Sequence, residues 1–350
     1  MSGSVPAELF SFYLPFSQET NPAVGILETG TLSWAEKFDL CRGDAQAATL
    51  YALTGANFMA HVYPHANGDL AQALSDYSAW GFAVNDQAVP TDQAIRTCDA
   101  LNSIFQWVWT MRSPNSWIAD DNSFLAALRD TFLRLSDCMT PLQMHRFTTG
   151  QTSWLLDQSW EASLRERGAE LTVNEYLAMR IGAGGVYAAI SYIDAVEGIE
   201  VSGQELASPI VRAAVEAGIL AGVLDNDRYS FIKESRPRSK KYNIFDALRY
   251  DNPSLSPQQA ILDGIAIRDR LLVLYTRLCN QILQHASEEL RQYFIGADRI
   301  ISGNVTFGTT ALRYLSPASA ATIQRTEEPS ADLPATPLPY PTISWWWDHL

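Results

Sequence analysis

The chain has 350 residues, of which 47% are hydrophobic, so it is long enough to bury one large core or two smaller ones. Its formal net charge of -14 argues against a nucleic-acid partner, because phosphate backbones are bound by net basic faces. The first residues lack the pattern of a signal peptide, and no stretch approaches the roughly 18 apolar residues of a membrane span. We therefore expect a soluble, cytoplasmic protein.

The middle of the chain has the spacing of amphipathic helices. From about Trp34 to Tyr314, apolar residues recur at intervals of three and four, most clearly in Phe124 to Ser136, Leu206 to Leu224 and Ser256 to Ala286. The sequence contains no repeat of 30 to 50 residues and no glycine-rich phosphate loop. This pattern predicts a single all-α domain, a helical bundle, over residues 1–316.

The last part of the chain, 317–350, has a different composition. Six prolines lie between Pro317 and Pro341, mixed with small and acidic residues, which predicts a polyproline-like or disordered tail. The tail ends in three adjacent tryptophans, Trp345 to Trp347, and each carries a large apolar area. The sequence leaves open whether they dock on the domain or contact a partner or another copy.

One short stretch carries three oxygen-bearing side chains on a single helical face. Asn226, Ser230 and Glu234 stand at i, i+4 and i+8, with Asp227 beside the first of them. An amide oxygen, a hydroxyl and a carboxylate suit Mg²⁺, which prefers oxygen ligands and often keeps one side open for a phosphate. Lys233 adds a cation that can meet such a phosphate. A solvated polar face is the alternative interpretation.

A second stretch, Trp80 to Asp86, is an aromatic and apolar helical segment that ends in Asn85 and Asp86. Taken alone, Asp86 is typical of a helix end. Beside the Asn226 stretch, it predicts the opposite wall of a metal-lined cavity between two helices of a bundle.

With these two stretches, the chain resembles the class I terpene synthases of the microbial type. That family carries an acidic motif preceded by aromatics, commonly W-x-F-x-x-D-D, upstream of a second metal motif, N-D-x-x-S-x-x-x-E. The second motif is matched residue for residue by Asn226, Asp227, Ser230 and Glu234.

Further positions agree with the resemblance, which spans roughly Pro15 to Pro317. The family's diphosphate-sensing arginine, 46 residues before the motif's Asn, falls on Arg180, and its small effector residue falls on Gly184. Its late Arg-Tyr pair, which closes on the diphosphate, is matched by Arg313 and Tyr314. The resemblance implies that these four residues act in catalysis.

One position departs from the family pattern. Its first Asp aligns with Asn85, and a neutral amide attracts Mg²⁺ less strongly than a carboxylate does. The resemblance therefore implies a metal set of Asn85, Asp86, Asn226, Ser230 and Glu234 with weaker affinity at the first wall.

The activity that the resemblance implies is ionisation and cyclisation of a linear prenyl diphosphate with Mg²⁺, three ions in all. Arg180, Lys233, Arg313 and Tyr314 would bind the diphosphate. Aromatic faces would stabilise the carbocation in the cavity. The candidates for lining it, each also compatible with an ordinary core role, are Phe58, Phe82, Trp154, Tyr187 and Phe307.

Two other functions compete with an active cyclase. A chain-elongating prenyltransferase usually needs two acidic DDxxD motifs, and the second site here is Asn, Ser and Glu instead. A non-catalytic protein that binds isoprenoids or a partner would account for Asn85, but it has little reason to retain Arg180 and the Arg313-Tyr314 pair. The choice among C10, C15 and C20 substrates, the product and the oligomeric state stay open, although relatives are often dimers.

Overall fold

The structure is a computed structural model that describes residues 7–85, 94–116, 122–234, 242–314, 323–329, 333–334 and 336–350, with the backbone alone at 94–101 and 232–234. Within these ranges the chain is a helical bundle, which confirms the predicted fold class. In chain order the helices are α1 (Val24–Lys37), α2 (Ala45–Val62), α3 (Gly68–Ala83), α4 (Ala94–Arg112), α5 (Ser123–Cys138), α6 (Pro141–Glu166), α7 (Val173–Ala183), α8 (Val186–Ile190), α9 (Ile193–Glu197), α10 (Gly203–Leu206), α11 (Pro209–Glu234), α12 (Ile244–Asp251), α13 (Pro257–Ile282), α14 (Glu288–Thr310) and α15 (Pro341–Ser344).

Helix ends follow local sequence signals. Capping boxes start α6 at Thr140 and α7 at Thr172, where the threonine side chain and the side chain three residues later satisfy each other's backbone N–H groups. The helix predicted from Leu206 to Leu224 is instead divided, because α10 ends at Leu206 and α11 begins at Pro209. Proline lacks a backbone N–H and fits the first turn of a helix, where that group has no intrahelical partner.

The long helix α11 lies at the centre of the bundle and packs on α13 and α14, while α2 packs on α1, α3 and α14. Close approach of α11 to α13 depends on Gly218, since a Cβ there would lie 2.6 Å from the ring of Tyr275. Among the described residues, no helix is long and apolar enough to cross a membrane.

Two short strands join distant parts of the chain. Strand β1 (Ser11–Tyr13) pairs in parallel with β2 (Gln324–Thr326), and Phe12 lies opposite Arg325. A 3-10 turn, Ala7–Phe10, leads into β1.

Two buried arginines fix β1 to the centre of the bundle. Arg228 of α11 donates to the carbonyls of Glu8 (2.9 Å) and Ser11, and Arg268 of α13 donates to the carbonyl of Tyr13 (2.5 Å). Both arginines pair with Asp225, which is also fully buried. Arg268 also pairs with Asp269 at 3.0 Å. Removing Asp225 would therefore leave Arg228 buried without its carboxylate, while Arg268 would keep Asp269.

The described part of the proline-rich tail packs on the domain. Helix α15 lies against α7, and the following 3-10 turn, Trp345–His349, lies against α11. Trp346 is fully buried and Trp347 is 9% exposed. Of the two alternatives that the sequence leaves open, the structure therefore shows docking on the domain. The predicted disordered or polyproline-like character does not hold for Pro341–Ser344, which is helical.

Candidate active site

A cavity of about 240 Å³ opens between α2, α3, α6, α7, α8, α11 and α14. Four of the five aromatic residues predicted to line it do so, namely Phe58, Phe82, Trp154 and Phe307. The ring of Phe58 lies 5.7 Å from that of Phe82 and 5.3 Å from that of Phe307, both edge to face. These rings form a rigid aromatic wall.

Tyr187 is the exception, and its prediction as a lining residue is wrong. Its hydroxyl donates to Oε1 of Glu216 at 2.5 Å, and Tyr187 does not line the described cavity. The physical reason is the break between α7 and α8, which changes the direction of the chain just before Tyr187. Burial, together with the hydrogen bond to Glu216, raises the pKa of Tyr187 to about 12.

Arg180 of α7 meets the metal motif of α11. Its Nη2 donates to Oδ1 of Asn226 at 2.9 Å and to Oδ1 of Asp227 at 3.1 Å. Arg180 and Asn226 both line the cavity. The structure thus brings together two residues that are 46 positions apart in the sequence.

Asp227, the second residue of the motif, is fully buried and has a structural role. It accepts hydrogen bonds from the hydroxyl of Tyr176 on α7 and from the backbone N–H of Ile244 at the start of α12, at 3.0 Å, in addition to Arg180. Its carboxylate therefore holds three helices, α7, α11 and α12, in fixed register around the site.

Arg313 and Tyr314 follow the end of α14 and also line the cavity. The guanidinium of Arg313 lies 5.2 Å from the ring centre of Phe82, a cation-π distance. The hydroxyl of Tyr314 accepts from Nδ2 of Asn226 at 3.3 Å, and its ring packs 4.8 Å from that of Tyr229. The structure therefore brings this pair to the wall that holds Arg180 and Asn226.

The predicted metal residues with described side chains are Asn85, Asn226 and Ser230. Asn85 lines the cavity from the end of the α3 segment, and Asn226 lines it from α11. Ser230 lies one turn beyond Asn226 and is fully buried, and its Oγ has no hydrogen-bond partner among the described residues. A buried oxygen without a partner is costly unless a ligand satisfies it, so Ser230 fits a role at a bound cation.

The structure does not describe the side chains of three predicted site residues. Asp86 lies outside the described residues, and the side chains of Lys233 and Glu234 also lie outside them. The backbone of α11 continues to Glu234, which keeps Asn226, Ser230 and Glu234 on one helix at intervals of four.

Gly184 ends α7 beside the cavity, and Gly185 has a left-handed φ of +83° before α8 begins. A Cβ at Gly184 would lie 2.3 Å from the carbonyl oxygen of Arg180 and 2.5 Å from Cγ1 of Val223. Only glycine fits this approach without displacing the backbone. The effector position is therefore tightly confined between α7 and α11.

Several polar residues of the cavity were not predicted. Gln151, Gln158 and Glu161 line it from α6, and Asn304 lines it from α14. Gln158 donates to the carbonyl of Ala183 at 2.5 Å, next to the helix break. A sequence signal for three of them existed, because Gln151, Gln158 and Glu161 share one helical face with Trp154, at intervals of three, four and three residues.

Comparisons with known proteins agree with this geometry. The family model described as terpene synthase family 2, C-terminal metal binding, matches residues 76–263. A diterpene cyclase, DtcycB, from a Streptomyces species is 34% identical over 98% of both chains. Spiroviolene synthase from Streptomyces violens is 27% identical over 97% of both chains. The crystal structure of a variant of the SVS_A2 protein, from ancestral sequence reconstruction, superposes with a TM-score of 0.84 at 28% identity, covering 96% of this chain and 98% of that one.

The fold and site therefore define a class I terpenoid synthase. The chain belongs to the terpene synthase family of the microbial type, and it is a terpene cyclase. The family model includes metal binding, which agrees with the use of a divalent metal. The named relatives are cyclases and synthases, and nothing favours the non-catalytic or chain-elongating alternatives.

Proposed function

We propose that this cyclase ionises a linear prenyl diphosphate, farnesyl or geranylgeranyl diphosphate, and closes the carbocation to a sesquiterpene or diterpene with release of diphosphate. The observation that carries the proposal is the meeting of Arg180, Asn226 and Tyr314 in a cavity that is also lined by aromatic rings. We assign the activity to residues 1–316 and to the cytoplasm.

Several residues together would bind the diphosphate leaving group. Arg180 and Arg313 supply fixed cationic donors, and Tyr314 supplies a hydroxyl. From the sequence, we propose Lys233 as a further cation. Asp227 holds Arg180 in place before substrate arrives, so little reorganisation is needed as charge develops.

The metal residues supply the remaining charge stabilisation. We propose that Asn226, Ser230 and Glu234, with Asn85 and Asp86 at the opposite wall, hold three Mg²⁺ ions. Bound Mg²⁺ would act as a Lewis acid that neutralises the diphosphate as the allylic C–O bond breaks.

The hydrocarbon would fold against the aromatic wall. The faces of Phe58, Phe82 and Phe307 can each stabilise a nearby cation by roughly 0.5 to 2 kcal/mol. The same apolar surface excludes water that would quench the cation early.

The relatives favour a C20 substrate. The relative at 34% identity is named a diterpene cyclase. Farnesyl diphosphate remains the second candidate, since a (+)-T-muurolol synthase from Streptomyces clavuligerus, whose name specifies farnesyl diphosphate, is 27% identical over 96% of this chain. We also propose a homodimer, which light scattering on the purified protein would test.

The test of the function is incubation of the purified protein with geranyl, farnesyl and geranylgeranyl diphosphates, with Mg²⁺ varied and volatile products measured by gas chromatography and mass spectrometry. We expect a cyclic product from geranylgeranyl diphosphate that is lost in Asn226→Ala and Arg180→Ala and retained in Arg249→Ala, a matched control at an exposed position. A folded protein that forms no product from any substrate at any Mg²⁺ concentration would refute the proposal and make Asn85→Asp the next variant.

A further inference from the structure

The C-terminal segment Pro341–His349 is linked to both helices that flank the break at Gly184 and Gly185, directly to α7 and through Glu216 of α11 to α8. These helices, α7 and α8, carry Arg180 on one side of the break and Tyr187 on the other. Two separate sets of hydrogen bonds make these links, one at Glu216 and one at Asn174.

The first set converges on Glu216 of α11, which is 3% exposed. Nε1 of Trp346 donates to its Oε2 at 3.1 Å. The hydroxyl of Tyr187 donates to its Oε1 at 2.5 Å, and Nε of Arg212 donates to the same oxygen at 2.7 Å. One buried carboxylate thus connects the tail, α8 and α11, and Arg212 supplies the charge that makes its burial tolerable.

The second set lies at the start of α7. The backbone N–H of Thr342 donates to Oδ1 of Asn174 at 2.9 Å, and the Thr342 hydroxyl donates to the Asn174 carbonyl at 3.3 Å. Asn174 lies in the first turn of the helix whose last turn carries Arg180. The tail therefore holds α7 directly near its beginning and α8 through Glu216, with the Gly184 break between the two helices.

We propose that Trp346 and Thr342 are positioning residues. Trp346 clamps Glu216, the carboxylate that joins α8 to α11, and Thr342 holds the start of α7, so that together they keep Gly184 and Arg180 in place for ionisation. The effect on catalysis rests on the proposed function. The clamp itself, which consists of the bonds from Trp346 to Glu216 and from Thr342 to Asn174, does not. Gly185 gives the break freedom that the rest of α7 and α8 lacks, because its left-handed conformation costs glycine little. The clamp restrains that freedom from outside the cavity.

Hydrogen exchange with mass spectrometry tests the clamp on the whole chain, without substrate. A hydrogen bond to an ionised group is worth about a factor of ten or more in a local opening equilibrium. In Trp346→Phe we expect the amides of α8 to exchange about ten-fold faster, with α5 unchanged as an internal reference. Trp347→Phe is the matched control, since Trp347 lines a small cleft with Val273 and Leu274 of α13 instead.

A second variant keeps the test decisive if Trp346→Phe does not fold. Tyr187→Phe removes the bond from α8 to Glu216 and leaves the bond from Trp346 to Glu216 intact. Because the clamp reaches α8 through both bonds, this variant should show the same faster exchange. Exchange at α8 within two-fold of the wild type in either folded variant would overturn the proposal.

Kinetics then show whether the clamp serves the reaction. We expect Trp346→Phe to lower kcat about five-fold or more with KM within two-fold, and Trp347→Phe to change neither. An unchanged kcat alongside faster exchange would restrict Trp346 to a structural role and overturn the positioning role. If the wild type turns over no prenyl diphosphate, the function has failed, and the exchange result still decides the clamp.

Discussion

Replacing Gly184 by alanine should damage both the fold and the reaction. The new Cβ would lie 2.3 Å from a backbone oxygen of Arg180 and 2.5 Å from Cγ1 of Val223, and neither is the free end of a flexible side chain. Overpacking of this kind costs about 1 to 3 kcal/mol. Alanine also lowers the conformational entropy of the unfolded chain, which stabilises the folded state by about 0.4 to 1 kcal/mol. A net destabilisation of about 1 to 2 kcal/mol remains.

That net cost corresponds to a fall in the melting temperature of about 1.5 to 3 °C for a chain of this size. The reaction should suffer more, because a displacement of about 1 Å at a positioned group can lower the rate about a hundred-fold. Differential scanning fluorimetry measures the first effect, and product formation from geranylgeranyl diphosphate measures the second.

Gly203→Ala is the matched control. A Cβ at Gly203 meets nothing within 4 Å, so this variant should be at least as stable as the wild type and fully active. If Gly184→Ala melts and turns over as Gly203→Ala does, the close approach of α7 to α11 does not confine the effector position, and our interpretation of Gly184 is refuted.

Three further variants probe single groups. Ser230→Ala should leave the melting temperature nearly unchanged but raise the Mg²⁺ concentration for half-maximal activity about ten-fold, in an activity titration. Asp225→Asn should cost about 3 to 5 kcal/mol in thermal unfolding followed by circular dichroism, because Arg228 would stay buried without its carboxylate and Arg268 would keep only Asp269. Burial raises the pKa of Asp298 from 3.8 to about 6, so the stability that its proton provides is present below pH 3.8 and is lost as the pH rises through 6. Between pH 3.5 and 7, the free energy of unfolding of the wild type should therefore fall by about 2 to 3 kcal/mol relative to that of Asp298→Asn. Melting temperatures of both proteins across this range test this, and a constant difference between the two would contradict it.

Much of the site follows from residue spacing. Helical periodicity places Asn226 and Ser230 on one face, and the resemblance places Arg180 and Tyr314 beside them, where the structure has them. Local rules suffice here because each residue lies on a long, regular helix or directly after one.

The rest depends on packing between distant elements. Tyr187 follows a helix break, so its direction cannot be read from the periodicity of α7. The docking of Trp346 depends on Glu216, which is 130 positions earlier in the sequence. Asp227 stands beside the predicted ligand Asn226 in the motif, but its bonds to Tyr176 and Ile244 arise only when α7 and α12 pack on α11.

The pairing of β1 with β2 has a consequence for how the protein folds. Every residue of the site lies between these two strands in the sequence, so their pairing closes a loop around the whole active centre. The entropic penalty of a long loop grows slowly, by only about 0.6 kcal/mol per doubling of length, but contacts between such distant residues form slowly. During synthesis, β1 must wait for nearly the entire chain before its partner strand exists. The active centre is therefore closed late in folding, when almost all of the chain is available.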